Sequence, residues 1–296
     1  DPMVALRKSV RAIAATDADV LITGATGVGK DLTARALHDL SARGPHPFVH
    51  INCAALPTDL VETELFGHEA GAFPGAMRAR FGKFEFARQG TVFLDEIDSL
   101  AVPIQAKLLH AIQARQITRL GANDPIALDI RVIAAAKTDL EAAVSAGNFR
   151  ADLLYRLNVV TVSVPPLSAR RDDIASLFLN LAAQAAARYS KPMPDVPAVV
   201  LAEMATRDWP GNVRELRNAA DRFVLGLDPA ATPSGTEDQS LSARMAAHEK
   251  SLITAALTAN GGSLKQTYTA LGLSRKALYE KMQKHGLSKA GVDTID

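Results

Sequence analysis

A chain of 296 residues with 48% hydrophobic and 22% charged residues is too long for one compact unit of ordinary size, and its composition excludes a disordered or membrane-embedded class. No apolar run approaches the ~18 residues that a membrane span needs, so a membrane is not an expected partner. The net charge of +1 is unevenly spread. Leu241 to Asp296 holds eight Lys and Arg against four Asp and Glu, net +4, and the first 240 residues carry −3, which points the C-terminal end towards nucleic acid.

A start at Asp1 rather than Met leads us to expect a piece of a longer protein, and Met3-Val4-Ala5-Leu6-Arg7-Lys8 reaches charge too early for a secretory signal. Short apolar strands are predicted at 20–23, 48–51, 91–94, 130–136 and 159–164. They alternate with helical stretches, the pattern of a parallel α/β sheet over residues 1–166. The single Cys53 cannot form an internal disulfide, which fits a reducing cytoplasm, and it reads as a small buried hydrophobe. Pro165-Pro166 ends the last strand, because proline cannot donate to a ladder. Residues 167–227 read as a helical unit, and 228–240, rich in Pro, Gly, Ser, Thr and Asp, as a linker. Residues 241–296 form a small all-α unit, with three helices broken at Asn260-Gly261-Gly262 and at Gly272.

The first strand runs into Gly24-Ala25-Thr26-Gly27-Val28-Gly29-Lys30-Asp31 and then a helical stretch. Glycines let backbone N–H groups turn towards phosphate oxygens, the helix N-terminus adds its dipole, and Lys30 brings a charge for the β and γ phosphates. This predicts an ATP site. Asp31 stands where most such loops carry Ser or Thr for Mg²⁺, so the ion must rely on a second acidic site and water. That site is Asp95-Glu96, at the end of the apolar run Thr91-Val92-Phe93-Leu94. Ligands of parallel sheets bind at the C-terminal strand ends, which aims both acids at the same crevice. Asp95 is expected to hold Mg²⁺ through water and Glu96 to polarise the attacking water.

These motifs resemble those of the NtrC-like bacterial enhancer-binding proteins, AAA+ activators of sigma-54 RNA polymerase, from Asp1 to Leu287. Glu64-Leu65-Phe66-Gly67-His68-Glu69-Ala70-Gly71-Ala72-Phe73-Pro74-Gly75-Ala76 is similar to the family's polymerase-contacting loop. Phe149-Arg150-Ala151-Asp152-Leu153-Leu154-Tyr155-Arg156 resembles its subunit-interface segment, and Trp209-Pro210-Gly211-Asn212-Val213-Arg214 its sensor II motif. Ala135-Ala136-Lys137-Thr138-Asp139-Leu140 and Asn218-Ala219-Ala220-Asp221-Arg222 look like those of regulators of C4-dicarboxylate transport.

The resemblance implies an AAA+ ATPase with residues 167–227 as its lid, working as a homo-oligomer from dimer to hexamer in the cytoplasm. It also implies two-component signalling, since relatives usually open with a receiver domain that this sequence does not contain. Arg150 and Arg156 would be arginine fingers presented to a neighbour's ATP, Arg214 would reach ATP from the lid, and Asn52 would be a switch residue restraining Glu96. At sensor I, where many relatives have Thr-Asn, this chain has Ala136-Lys137. Gly71, Ala72, Phe73, Pro74, Gly75 and Ala76 would contact sigma-54, but Pro74 replaces the family's usual Thr. Two functions stay open: an activator that remodels sigma-54 polymerase, or a nucleotide-binding DNA-binding regulator that does not, because of Pro74.

In the C-terminal unit, Gly262 to Tyr279 reads as helix, tight turn at Gly272, helix, with Ser274 as N-cap and Leu273, Leu278 and Met282 as an apolar stripe. It resembles a Fis-type helix-turn-helix. Ser274, Arg275, Lys276, Tyr279, Lys281 and Lys284 are the expected contacts to an enhancer site.

Overall fold

The computed structural model describes residues 2–227, a few helical positions between 249 and 257, residues 263–285 and residue 287. Two units separate at Ala231, and the predicted linker at 228–240 lies outside the described residues, as does the break at 260–262. Among the described residues no helix is long and apolar enough to cross a membrane.

The first unit begins with α1 (Pro2–Ala14), whose Leu6, Val10 and Ala14 fall on one helical face and are buried. Five strands then build a parallel sheet: β1 (Val20–Thr23), β2 (Phe48–Asn52), β5 (Thr91–Asp95), β8 (Arg131–Ala136) and β9 (Val160–Ser163). Their order, β2-β5-β8-β1-β9, puts β8 between the strand that feeds the glycine loop and the strand that ends in the paired acids. The first predicted strand matches the observed one, the next three differ by one residue at one end, and 159–164 is one residue too long at each end.

Burial explains why these segments are legible. Along β1, β5 and β8, Leu21, Val92, Leu94, Val132 and Ala134 face one core, while Val20, Ile22, Phe93, Ile133 and Ala135 face the other. Both faces are covered, so successive residues are all apolar rather than alternating. All six residues of β8 are buried, including Arg131, which donates to the carbonyls of Ala18 and Ile13. Each fully buried Leu or Phe contributes about 2–3 kcal/mol.

The covering helices are α2 (Lys30–Asp39), α3 (Thr58–Phe66), α4 (Lys83–Phe86), α5 (Val102–Ala114), α6 (Leu140–Ser145) and α7 (Ala151–Leu157). Two short hairpins were not predicted: β3 (Gly67–His68) with β4 (Arg80–Phe81), and β6 (Gln116–Ile117) with β7 (Ile126–Ala127). They lean on each other through Leu120, which donates to Gly67 O at 3.0 Å and accepts from Glu69 N at 2.9 Å. Arg119 ties them by bonding Glu69 and Glu85.

After a 3-10 segment, Leu167–Asp173, comes the predicted helical unit: α8 (Ile174–Arg188), α9 (Ala198–Thr206) and α10 (Asn212–Val224). Phe178, Met204, Trp209 and Leu216 fill its own core, and the Trp209 indole N–H donates to Met204 O at 2.7 Å.

In the second unit, α11 (Leu264–Ala270) and α12 (Arg275–Lys284) follow the predicted helix-turn-helix, with Gly272 at φ 64 in the turn. Leu278 and Met282 close its core with Ile253 and Leu257. Ser274 caps α12, its Oγ accepting from Ala277 N at 3.1 Å.

Candidate functional site

The C-terminal ends of β1, β5 and β2 meet at one edge of the sheet. There a cleft of about 460 Å³ is lined by Thr26, Gly27, Gly29, Lys30, Asp31, His50, Asn52, Asp95, Glu96, Arg214 and Arg217, among others. The structure therefore brings together the glycine loop, the paired acids, Asn52 and the lid arginine predicted from sequence.

Glycine is required where the lid approaches the loop. Gly27 has φ 77, and a Cβ there would lie 2.3 Å from Gly211 O and 3.0 Å from the Arg214 side chain. Asn212, at φ 52, fastens the two parts: its carboxamide N–H₂ donates to Thr26 O at 3.0 Å, and its oxygen accepts from Leu167 N at 2.8 Å. Arg170 adds a second tie to Val28 O at 3.1 Å.

Lys30 opens α2 and turns its ammonium back into the loop, donating to Gly24 O at 2.8 Å and Ala25 O at 3.1 Å. Burial lowers its pKa, and Arg214 pushes the same way, against the pull of Asp95, Asp98 and Glu96. Burial pushes the Asp95 carboxyl up, but His50, the Glu96 amide and Lys30 outweigh it and hold it below its ordinary value. Asp95 is thus an anion at neutral pH.

Glu96 sits in the left-handed region, φ 52 and ψ 47, as β5 gives way to a 3-10 turn, Ile97–Ser99. That conformation costs a non-glycine residue of order 1 kcal/mol or more and aims the carboxylate out of the strand. Its Oε2 lies 2.9 Å from Lys137 Nζ. Asn52 does not hold it: the Asn52 oxygen accepts from Ala54 N at 3.0 Å and Ala55 N at 3.1 Å, the work of a turn former.

Sequence reasoning did not select His50, Asn212, Arg217 or Lys137 as site residues. His50 Nε2 lies 3.8 Å from Asp95 Oδ2. The alternation of β2 puts His50 and Asn52 on one side, but nothing in the sequence pairs them with β5.

Neither Arg150 nor Arg156 lines the cleft. Arg150 is on the surface, paired with Asp152 at 2.7 Å. Arg156 reaches inward, 3.3 Å from the buried carboxylate of Asp19, which Arg115 also holds at 2.7 Å.

The β3–β4 hairpin carries the loop Gly71–Ala76 at its tip. Ala76 N donates to Phe73 O at 3.0 Å and Gly75 has φ 100, the pattern of a type II turn with Pro74 and Gly75 as its central residues. Phe73 is 38% exposed, its ring 5.0 Å from that of His68.

On α12 the expected DNA contacts divide. Arg275, Lys276 and Tyr279 are exposed, with the Arg275 guanidinium 5.9 Å from the Tyr279 ring. Lys281, Lys284 and His285 instead converge on Glu249, whose carboxyl Lys281 and His285 hold down to about 2.

Residues 1–163 match the family described as the Sigma-54 interaction domain, residues 168–234 an AAA+ ATPase lid domain, and residues 244–285 the Bacterial regulatory protein, Fis family. The chain belongs to the sigma-54 interaction domain family. It is 51% identical over 290 residues to the C4-dicarboxylate transport transcriptional regulatory protein DctD of Pseudomonas aeruginosa, covering 96% of this chain and 63% of that relative. DctD of Rhizobium meliloti is 47% identical, with 97% of this chain and 64% of the relative covered. The chain thus spans under two thirds of the length of these relatives. Among solved structures, NtrX from Brucella abortus in complex with ATP superposes with a TM-score of 0.71 at 32% identity, covering 96% of this chain and 68% of that one. Membership of the family makes the segment matched at residues 1–163 an AAA+ ATPase domain, with its lid matched at 168–234 and a Fis-type helix-turn-helix at 244–285.

Proposed function

We propose that this chain is the ATP-driven core of a cytoplasmic sigma-54-dependent activator, which binds enhancer DNA, assembles as a ring and remodels RNA polymerase holoenzyme. ATP enters the cleft with its phosphates against the loop amides and the Lys30 ammonium. Asp95 and Glu96 sit opposite, and Arg214 closes from the lid. Water attacks the γ phosphorus, its proton passes to the Glu96 carboxylate, and the bond to the β,γ-bridging oxygen breaks, leaving ADP and phosphate.

The donors suit Mg²⁺: Asp95 is an ionised hard oxygen ligand, and among the described residues no group of three or more His, Cys, Asp or Glu forms a closed cage. Magnesium commonly takes one or two carboxylates and completes its shell with water and phosphate oxygens. When bound it neutralises phosphate charge. Arg150 and Arg156 do not line their own cleft, and in this reading they serve a neighbouring subunit, as the family resemblance implies, Arg156 after leaving Asp19.

The observation that carries the activator reading over a regulator unable to engage sigma-54 is the turn at Phe73–Ala76. Proline is favoured at the first central position of a type II turn and glycine at the second, so Pro74 holds the tip together and presents Phe73 rather than breaking the loop. The test is nucleotide-dependent capture of sigma-54 by the parental chain, Phe73→Ala and Pro74→Thr. Phe73→Ala is expected to lose capture while ATP turnover persists. Pro74→Thr gains a hydroxyl worth about 1 kcal/mol and gives up some preorganisation, so capture rises by less than about fivefold. Absence of capture by all three, each hydrolysing ATP, would transfer the reading to the regulator.

DNA binding follows from the exposed end of α12. Replacing Arg275 and Lys276 together by Ala in the full chain is expected to lower the slope of log affinity against log salt by about 2, because each phosphate that no longer meets a cationic side chain keeps about one counterion. Replacing Lys281 alone changes the slope less, since Glu249 already neutralises it. Equal slopes for parental and doubly substituted proteins would place the DNA-binding face elsewhere.

A further inference from the structure

The pairing of Lys137 with Glu96 is not used by the hydrolytic step itself. Strand β8 lies between β5 and β1, so Lys137, which follows its last residue, Ala136, emerges between the paired acids and the glycine loop. Its ammonium is 2.9 Å from Glu96 Oε2. Its backbone is fixed by Asp98, whose two oxygens accept from Lys137 N at 3.5 Å and from the Thr138 hydroxyl at 2.9 Å. Lys137 also shares the lining of a neighbouring hollow with Gly24 and Ala25, the two residues whose carbonyls hold Lys30.

These interactions answer an electrostatic problem. Asp95 and Glu96 line the cleft beside Lys30, with Asp98 just behind them, so carboxylates stand close to where a polyphosphate must come to rest. Glu96 has to be an anion to take a proton from water, yet an uncompensated anion there repels the γ phosphate. Asn52, turned to Ala54 and Ala55, offers no positive charge.

We propose that Lys137 is the counter-ion of Glu96, a positioning residue that lets the site keep an ionised base and still accept a γ phosphate. This rests on Glu96 being the base of the hydrolytic site. Lys137 acts through Glu96 and not by gripping the nucleotide, which makes its effect depend on whether Glu96 is charged. The cost of removing it falls on ATP more than on ADP, since only ATP carries a phosphate next to Glu96.

The test is a double-mutant cycle in the full chain, reading the affinity for a slowly hydrolysed ATP analogue and for ADP in parental protein, Lys137→Met, Glu96→Gln and the double variant. Lys137→Met is expected to weaken the ATP analogue about tenfold and ADP less than threefold. Lys137→Arg keeps the charge and is expected to bind as the parent does. In the double variant both charges are gone, and affinity for the ATP analogue should return to within about twofold of parental. Parental affinity in Lys137→Met overturns the proposal. So does a tenfold loss that persists in the double variant, because Lys137 would then touch the nucleotide itself. ATP turnover by Glu96→Gln, measured beside these, judges the site separately: parental turnover there removes the base, whatever the binding data give.

Discussion

Glu96→Gln is expected to bind ATP with near-parental affinity and to lose about 10²- to 10⁴-fold in turnover, the usual worth of a positioned general base. The substitution keeps the shape of a side chain held at φ 52 and removes the charge that accepts a proton. Lys30→Ala fails at an earlier step. It removes the one ammonium bonded inside the loop, at Gly24 and Ala25, and charge-assisted bonds of about 1.5–3 kcal/mol each make a loss of at least about 100-fold in affinity the expected result. Isothermal titration with an ATP analogue and a phosphate-release assay separate the two effects. Parental turnover by Glu96→Gln would show that the base lies elsewhere.

The second large effect concerns the two arginines outside the cleft. Arg150→Ala and Arg156→Ala are each expected to cut hydrolysis about 10³-fold and to leave nucleotide affinity nearly unchanged, as for a finger supplied by a neighbour. Mixing Arg156→Ala with Lys30→Ala protein should restore part of the activity, because some interfaces then combine an intact half from each. The structure separates the two in stability. Arg150 is half-exposed, and its side chain pairs with Asp152 at the surface, so its loss leaves the melting temperature nearly unchanged. Arg156 shares the buried Asp19 with Arg115, and its removal leaves that carboxylate one partner short, lowering the melting temperature by a few degrees. No rescue at any mixing ratio, with mixed rings verified by labelling, would rule out action between subunits.

The sheet is legible in the sequence because strands covered on both faces are unbroken apolar runs closed by Gly, Pro or acids: Val20–Thr23 and Thr91–Asp95 are such runs. The glycine loop and acid pair are legible because phosphate chemistry fixes residue types at short spacing. The hairpins Gly67–His68 with Arg80–Phe81 and Gln116–Ile117 with Ile126–Ala127 are not, since two residues cannot display a period.

Partners distant in sequence are hidden for a different reason. Lys137 meets Glu96 across 41 residues, and Asn212 meets Thr26 across 186, through the order of strands and the fold of the lid. The family resemblance implies that Asn52 restrains Glu96. Here its side chain closes a local turn, which leaves the proposed switching role to be reached by a different rotamer. Lys281 and Lys284 look from sequence like free positive charge on a recognition helix, and only the fold shows Glu249 beside them.

The measurement that bears most directly on the central claim is open-complex formation by sigma-54 holoenzyme on a supercoiled promoter carrying an upstream binding site, probed by permanganate reactivity of the melted bases. With the parental chain and ATP, melting is expected; with a slowly hydrolysed analogue, with Glu96→Gln or with Phe73→Ala, none. Undiminished ATP hydrolysis by the parental chain, with the promoter occupied and no melting at any concentration, would contradict the account and leave a nucleotide-binding DNA regulator in its place.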